Sequence, residues 1–512
     1  MVRNIPFNAE AQRSPSYAEA PAKLGVLGDS AVKPLKPRTE KEISSPSQTA
    51  GSHGPIFLNS KRNSSESDSA TPAEHSQTAL RAIFLTVFID LLGFGLVLPQ
   101  LALYAKQFGA ANWTIGILAG TFSLMQFLFA PLLGSFSDRY GRRPLLLVSV
   151  ATSFAGYLLF ALARSLPLLF LARIIDGIGG ANIATAQAYI ADVTTPETRA
   201  RSMGMLGAAF GMGFILGPFL GGLLGAWGTT HLHHISGGHG GNFAIGSLAA
   251  ALCLFNLLWI ALKVPESLRG RSAGRHRRSP LSIIANAARI PGLRVVMAIF
   301  FIASFGFACL EGAFSNYIAE LRLRTRPGPY VSLNRLPVEE QHAILKDVQK
   351  TTGSLLGFVG VLIVLMQGGL TRILVKRFGE RRLVIAGLAI LAAGLAILPY
   401  LGSHYGTAGL FLAQIPLAVG TGLHGPSLQS ILSQLSPEGQ LGQTFGLSQG
   451  LGSLARILGP AWGNLSLTFA IGLPFWSGAA LLLVSFLLSF RLFSPAVEER
   501  LLTAKNAKHA KT

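Results

Sequence analysis

Twelve long apolar runs fill the chain from residue 81 onward and limit what it can fold into. They cover 81–104, 113–136, 144–163, 167–191, 203–226, 243–262, 293–318, 353–376, 383–401, 407–432, 444–466 and 470–493. Each run is long enough to cross a bilayer as a helix, and none alternates as a barrel strand would. Because lipid offers the backbone no hydrogen-bond partner, we predict an all-α integral membrane protein with twelve transmembrane helices.

Charged residues are scarce, and the basic ones collect in alternate loops. Only 13% of the residues are charged, against about 25% in ordinary soluble domains. The basic loop residues are Arg139, Arg142, Arg143, Arg199, Arg201, Lys263, Arg269, Arg271, Arg275, Arg277, Arg278, Lys376, Arg377, Arg381 and Arg382. This bias predicts that both termini are cytoplasmic, and it explains the net charge of +20 without a nucleic-acid partner. A predicted outside loop over 319–352 is the exception, because it is also basic.

The parts outside the runs are polar. Residues 1–80 contain 9 basic and 8 acidic residues and no apolar period, so we predict a disordered cytoplasmic tail. A tail without specific function and a regulatory or partner-binding tail both remain open. We further predict a first half over 81–262, a basic cytoplasmic linker over 263–292, a second half over 293–493 and a cytoplasmic tail over 494–512.

Two sequence landmarks occur twice in the same order. The loop GSFSDRYGRRP (134–144) is similar to RILVKRFGERR (372–382), and GPFLGG (217–222) is similar to GPAWGN (459–464). Both pairs are about 240 positions apart, which indicates a duplicated unit of six helices. Repeats of this kind are typical of secondary transporters, so we predict two six-helix pseudo-repeats around a central cavity.

Four segments resemble motifs of the major facilitator superfamily. They are GSFSDRYGRRP (134–144), ARIIDGIGGANIATAQAYIADVT (172–194), GMGFILGPFLGG (211–222) and DLLGFGLVLP (90–99). In the first of them, Phe136 replaces the usual Leu. Together they most resemble the twelve-helix drug:proton antiporter branch, which includes tetracycline-resistance efflux pumps, over residues 81–493. This resemblance implies proton-coupled efflux of small drug-like or amphiphilic molecules by alternating access. It also implies a bacterial inner membrane.

The loop after the second run is the candidate gating segment. Its residues are Gly134, Asp138, Arg139, Gly141, Arg142 and Arg143. Glycine permits a tight turn, and Asp138 can lie at the positive end of a helix and pair with an arginine. The resemblance implies a latch that joins the two halves at the cytoplasmic side in one state, while a merely topological basic loop is the alternative. Lys376 replaces the aspartate in the second copy.

The fifth run carries small residues at helical spacing. They are Gly213, Gly217, Pro218, Gly221 and Gly222. Small residues let helix backbones approach closely, and proline bends a helix. Close packing alone explains the pattern, and the resemblance to an antiporter motif implies a seal against leak as well.

Five ionisable residues lie inside apolar runs, where an unpaired charge is costly and therefore indicates function. They are Asp90, Arg173, Asp176, Glu311 and Arg456. Asp90 and Glu311 are candidates for proton or cationic-substrate binding, and a polar contact between helices is the alternative for Asp90. Arg173 and Asp176 form either a static pair or a unit that tunes a proton-carrying carboxylate. Arg456 is either a counter-charge or a ligand for an anionic substrate.

Other polar residues are weaker candidates for the lining of the cavity. They are Gln126, Asn182, Gln187, Gln367, His424 and Gln429, and a residue of this kind alone is more often a hydrogen bond between helices. The histidine-rich segment 230–241 suggests a zinc site or a pH sensor, but its glycines favour a solvated loop. We expect no metal and no cofactor. The sequence has no nucleotide-binding GxxxxGK[ST] motif, which disfavours ATP-driven pumping.

The expected partners are a small-molecule substrate, protons and the lipid bilayer, with the protein acting as a monomer. Two rival functions remain open. A metabolite or sugar facilitator would share the fold without needing a proton-linked carboxylate, and a transport-inactive receptor or scaffold would need no charged cavity at all. An enzyme is the least favoured class, because the sequence contains no recognisable nucleophile–base set.

Overall fold

The computed structural model describes residues 72–499 except 181, 195, 233–238, 268–288, 437–440 and 496. Most of the predicted N-terminal tail, most of the basic linker and most of the C-terminal tail therefore lie outside the described residues. The same holds for the middle of the histidine-rich segment.

Regular structure in the described part of the chain is helical, so the all-α prediction is confirmed. The α-helices are α1 Pro72–Gln107, α2 Asn112–Tyr140, α3 Arg142–Leu162, α4 Leu166–Ile178, α5 Asn182–Val193, α6 Pro196–His231, α7 Gly240–Lys263, α8 Pro291–Thr325, α9 Val338–Leu365, α10 Thr371–Phe378, α11 Glu380–Leu435, α12 Leu441–Ser466 and α13 Leu473–Ser489. A π-helical turn, Met366–Leu370, joins α9 to α10, and short 3-10 helices occupy Leu333–Arg335 and Phe490–Phe493.

Nine of the helices in the described ranges are long and apolar enough to cross a membrane. Helices α4, α5, α10 and α12 are not among them. The predicted run 167–191 is divided, because α4 ends at Ile178 and α5 begins at Asn182. Two consecutive glycines, Gly179 and Gly180, follow α4, and glycine weakens a helix by about 1 kcal/mol relative to alanine. The expectation of one continuous helix over this run is therefore wrong.

Helix α11 is a hairpin rather than one rod. A straight helix of 56 residues would be about 84 Å long, far beyond the hydrocarbon thickness of about 30 Å. Gly406 interrupts it with φ 55° and ψ −135°, a conformation that favours glycine. Past this point the chain reverses, so that Gly394 packs against Pro416. The two arms correspond to the predicted runs 383–401 and 407–432.

Buried apolar side chains form two main clusters. One cluster draws its residues from α1 to α7. The other draws its residues from α8 to α13, with Leu103 of α1 added. Large apolar side chains such as Phe127, Leu258 and Leu487 are exposed, as expected for surfaces that face lipid.

The connection between α8 and α9 is shorter than the sequence suggested. The predicted loop over 319–352 is wrong, because α8 continues to Thr325 and α9 already begins at Val338. Charged residues on these helix ends pair across the two helices, which stabilises the extensions. Arg322 Nε lies 2.7 Å from Asp347 Oδ2, and Arg326 forms an ion pair with Glu340.

Candidate functional site

Polar side chains gather at the two ends of the helical bundle. We call one the basic end, where α2 meets α3 and α10 meets α11. The other is the opposite end, where α1 and α8 end and α2 and α9 begin. A third group of polar residues lies between the ends, within the first half.

The basic end holds an arginine with two carboxylate partners. Arg142, the first residue of α3, places Nη1 2.5 Å from Asp138 Oδ1 and Nε 3.0 Å from Asp192 Oδ2. Asp138 is on α2 and Asp192 is near the end of α5, so one guanidinium joins three helices. The predicted gating segment thus supplies Asp138 and Arg142 to this cluster. Its Arg139 is exposed beside Tyr140, and a side chain at Gly134 would meet nothing within 4 Å.

Glu266, which no sequence motif indicated, holds the start of α3. Its carboxylate accepts hydrogen bonds from the backbone N–H groups of Arg142, at 2.9 Å, and Arg143, at 3.1 Å. Gly141 precedes them with φ 108°, and a Cβ there would collide with this carboxylate. A carboxylate at a helix N-terminus satisfies free N–H groups and the helix dipole. Glu266 lies in the polar linker, where the sequence carries no local signal for this contact.

The middle group contains a buried ion pair. Arg173 and Asp176 lie one turn apart on α4, with Nη1 and Oδ2 separated by 2.9 Å and side chains 1% and 2% exposed. The Phe122 ring centroid lies 4.8 Å from Arg173 Cζ, within range of a cation–π contact. Gly156 of α3 makes room for Asp176, because a Cβ there would lie 2.7 Å from the Cβ of Asp176.

Asp90 lies on α1 near this pair and has a partner of its own. Its Oδ1 accepts a hydrogen bond from Asn182 Nδ2 at 2.8 Å. Asn182 is the first residue of α5, so the break between α4 and α5 brings it to Asp90. Gln126 of α2 donates to Gly180 O at the same break, at 2.6 Å. The structure therefore assembles Asp90, Asn182 and Gln126 around one interruption in the helix.

Glu311 and Arg456 form a looser pair in the second half. Glu311 is on α8 and Arg456 is on α12, and both are half-buried. Their charges interact, but neither side chain forms a direct ion pair with any residue that the structure describes. Arg456 Nη2 donates to Ser453 Oγ at 3.2 Å, which leaves most of its donors available to a ligand.

The remaining polar candidates lie apart from these groups. His424 has its Nδ1 3.0 Å from Gly420 O, one turn earlier in the same helix. Gln187 is half-buried on α5, while Gln367, in the π-helical turn, and Gln429 are exposed.

The small residues of α6 contact two helices. Gly213, Gly217 and Gly221 face α1, and a Cβ at Gly217 would lie 2.7 Å from the Cα of Gly95. The buried Pro218 also lies at this crossing. Gly222 faces α9, where it meets Gly353. The second glycine motif does the same in the other half, because a Cβ at Gly459 or Gly463 would meet Ala308 or Cys309 of α8.

The opposite end holds a buried ion pair that no sequence motif indicated either. Lys106 at the end of α1 pairs with Glu320 near the end of α8, and the side chains are 7% and 6% exposed. Burial and the negative charge of Glu320 raise the pKa of the neighbouring Tyr330. The signal in the sequence was a single charge at the end of each apolar run, which did not identify the partner.

Comparison with known proteins agrees with this architecture. The chain matches the model of the Major Facilitator Superfamily over residues 83–334 and 336–511. It is 33% identical over 411 residues to the class C tetracycline resistance protein of Escherichia coli, which covers 79% of this chain and 93% of that protein. These matches confirm the predicted resemblance to tetracycline-resistance proteins.

Solved structures of transporters share the fold. The crystal structure of the human organic anion transporter MFSD10 (TETRAN) is 25% identical with a TM-score of 0.56, covering 81% of this chain and 99% of that one. The D-xylose–proton symporter shares the fold at 16% identity with a TM-score of 0.63, covering 81% and 98%. Together with the apolar helices, these findings show that the chain is a multi-pass membrane protein that belongs to the major facilitator superfamily.

Proposed function

We propose that this protein is a proton-coupled exporter of small amphiphilic molecules that works by alternating access. In this proposal the chain crosses the membrane twelve times in two six-helix repeats. The nine long helices supply nine passes, and the second arm of the α11 hairpin, the broken pair α4–α5 and α12 supply the other three. The similar contacts of the two glycine motifs, α6 on α1 and α12 on α8, support the repeat.

The topology follows from the basic loops. The basic end faces the cytoplasm, since arginine and lysine favour cytoplasmic loops. The protein acts as a monomer in a bacterial inner membrane. The cluster of Arg142, Asp138 and Asp192 joins helices of the first half only. We assign it a gating role in the other state, when the two halves meet at this end.

The observation that carries the proposal is the group of ionisable residues in the middle of the first half. Asp90, Arg173 and Asp176 lie deep in helices that face lipid on their outer sides, where a charge costs several kcal/mol unless it is paired. Asp90 has a neutral partner, Asn182, so it can lose or gain a proton without breaking an ion pair. We assign proton binding to Asp90 and the tuning of its charge to Arg173 with Asp176.

Substrate binding is assigned to the surface between the halves. Glu311 and Arg456 lack direct ion pairs with described residues and are only half-buried, so both can contact a polar ligand. The substrate enters from the cytoplasm or the inner leaflet, a proton enters from outside, and the two are coupled through Asp90, Glu311 and Arg173. The relative named as a tetracycline resistance protein makes tetracycline the first compound to test.

Organic anion transport is a second candidate. Arg456 is a cation inside an apolar helix without an ion-pair partner among the described residues, and such a group attracts an anionic ligand. The human protein MFSD10, which shares the fold, is an organic anion transporter. Under this reading Arg456 is the substrate ligand and Asp90 keeps its proton-binding role.

The test measures tetracycline accumulation in cells that lack their own efflux pumps. Wild type should lower accumulation, and both Asp90→Asn and a protonophore should abolish the effect. Asp347→Asn is the matched control, because it removes an exposed carboxylate whose partner is Arg322, away from the middle group. If Asp90→Asn exports as well as wild type, the proton-binding role is wrong.

The alternatives give different outcomes in the same system. The second candidate is favoured if wild type takes up a dye-labelled organic anion but exports no tetracycline. Uptake of the anion should then be lost in Arg456→Gln. Substrate equilibration that ignores the protonophore would indicate a facilitator. A correctly inserted protein that moves no compound in the panel would leave the receptor or scaffold reading.

A further inference from the structure

The opposite end is closed by polar contacts that run from one half to the other. Lys106 of α1 belongs to the first half, and Glu320 of α8 belongs to the second. Lys106 Nζ also donates a hydrogen bond to Asn316 Oδ1 at 2.7 Å. This ammonium therefore has two partners on α8, both shielded from solvent.

Asparagine side chains extend the connection to two more helices. Asn316 Nδ2 lies 3.0 Å from Asn112 Oδ1 of α2 and 2.9 Å from Asn464 Oδ1 of α12. Asn464 in turn donates to Gly312 O at 2.9 Å. Buried amide groups of this kind contribute most when all their hydrogen bonds are made, so the network depends on the helices staying in place.

A second contact joins the halves nearby. Gln349, about three turns into α9, donates to the hydroxyl of Tyr104 of α1 at 3.0 Å, and Thr229 of α6 donates to Gln349 Oε1 at 3.1 Å. The Tyr330 hydroxyl donates to Glu320 Oε2 at 3.2 Å and covers the ion pair from the loop between α8 and α9. Hydrogen bonds between described residues of the two halves thus lie at the opposite end.

The basic end is arranged differently. Side chains added at Gly211 of α6 or at Gly446 and Gly450 of α12 would meet nothing within 4 Å. Arg142 bonds Asp192 within the first half, and Glu380 accepts from Ser430 within the second. The ion pairs and hydrogen bonds named here therefore join the two halves at the opposite end, whereas those at the basic end stay within one half.

We propose that Lys106, Glu320 and Asn316 form a latch that must separate before the bundle can open at the opposite end. We call these three residues the outer latch. A buried ion pair is stable only while both members are present, and both members become hydrated once the halves part. The latch therefore favours the closed arrangement. This inference rests on the alternating access proposed above, but it needs neither a substrate nor a proton gradient.

Single and paired substitutions in the outer latch should have opposite effects. Glu320→Gln leaves the buried Lys106 ammonium without its ionic partner, and Lys106→Met leaves the buried Glu320 with only the exposed Arg324, whose Nε is 3.9 Å away on the same helix end. Both changes penalise the closed arrangement. The ratio of open to closed molecules at the opposite end should rise at least about tenfold. The paired change Lys106→Met with Glu320→Leu replaces both members by apolar groups and should restore the closed arrangement, since such replacements are often neutral.

Double electron–electron resonance in lipid nanodiscs tests the latch directly. Spin labels go on cysteines that replace the exposed Ala111 of the first half and Arg335 of the second, with Cys253 and Cys309 changed to serine. In the single latch variants, the distribution of distances between the two spin labels should gain a longer component. Wild type and the paired variant should lack this component. Asp347→Asn is the matched control, because its ion pair with Arg322 is at the same end but stays within the second half.

An unchanged distance distribution in both folded single variants would overturn the inference. If the single variants do not fold, Asn112→Ala decides between the outcomes, because it removes a hydrogen bond that crosses from α2 of the first half to Asn316 of the second, at a side chain that is only half-buried. It should lengthen the distance in a smaller fraction of molecules, and no change would refute the latch. If the latch variants open as predicted but wild type exports no compound, the latch stands and the proposed function is contradicted.

Discussion

Removing the carboxylate of Asp176 should destabilise the protein more than any change to a surface ion pair. Asp176→Asn leaves Arg173 1% exposed and without its ionic partner. The Nε and Nη2 atoms of Arg173 already lack hydrogen-bond partners among the described residues. What remains around the cation is mainly the ring of Phe122, at 4.8 Å from Cζ.

The expected magnitude follows from burial. Breaking a buried ion pair by removing one member costs about 3–5 kcal/mol of folding free energy, because the other charge stays desolvated. The cation–π contact with Phe122 is present before and after the substitution, so it does not reduce this cost. The amide of asparagine can still accept one hydrogen bond from Arg173, which recovers about 1 kcal/mol. A net loss of about 2–4 kcal/mol is therefore expected.

The assay is reversible unfolding in mixed detergent micelles, followed by tryptophan fluorescence. Glu498→Gln is the control, because Glu498 is 55% exposed and lies 3.8 Å from Arg381, so its loss should cost about 0–1 kcal/mol. The paired change Arg173→Met with Asp176→Leu should recover most of the stability. If Asp176→Asn costs no more than Glu498→Gln, the ion pair does not stabilise the fold as argued.

Three further predictions concern the backbone and pH. Gly217→Val should abolish folded protein in size-exclusion chromatography, because its Cβ would lie 2.7 Å from the Cα of Gly95, whereas Gly134→Ala should behave as wild type. Gly406→Ala should lower the unfolding free energy by about 1–3 kcal/mol in the same micelle assay, since it places an L-residue at φ 55°; an unchanged value would contradict the hairpin geometry. Burial, followed by the charges of Arg164 and His342, lowers the pKa of His239 from its ordinary 6.5. The unfolded chain therefore takes up this proton first, so stability should fall as pH drops below about 6.5, and thermal unfolding of His239→Gln should show a shallower fall.

The sequence predicted the helices better than their contacts. Apolar length alone identified the arms of the α11 hairpin, because a span needs a fixed number of apolar residues. The break in run 167–191 was missed, although Gly179 and Gly180 mark it, because a hydropathy pattern does not register the loss of backbone hydrogen bonds.

In the candidate site too, the sequence predicted contacts within one helix better than contacts between helices. Arg173 with Asp176 was predictable because the two residues are three positions apart on one helix. The partners of Asp90 and Lys106 come from distant helices, so no local pattern could identify Asn182 or Glu320. Glu266 was missed for the related reason that helix capping depends on where the polar linker runs in space.

The short helix α5 has a mechanical consequence. Its first residue, Asn182, donates a hydrogen bond to Asp90 in the middle group, and Asp192 near its other end pairs with Arg142 at the basic end. The ten helical steps between these two residues span about 15 Å. Because α5 is separated from α4 at the break, it can tilt while Arg173 and Asp176 stay fixed. Helix α5 thus links the carboxylate of Asp90 to the guanidinium of Arg142, about three turns away.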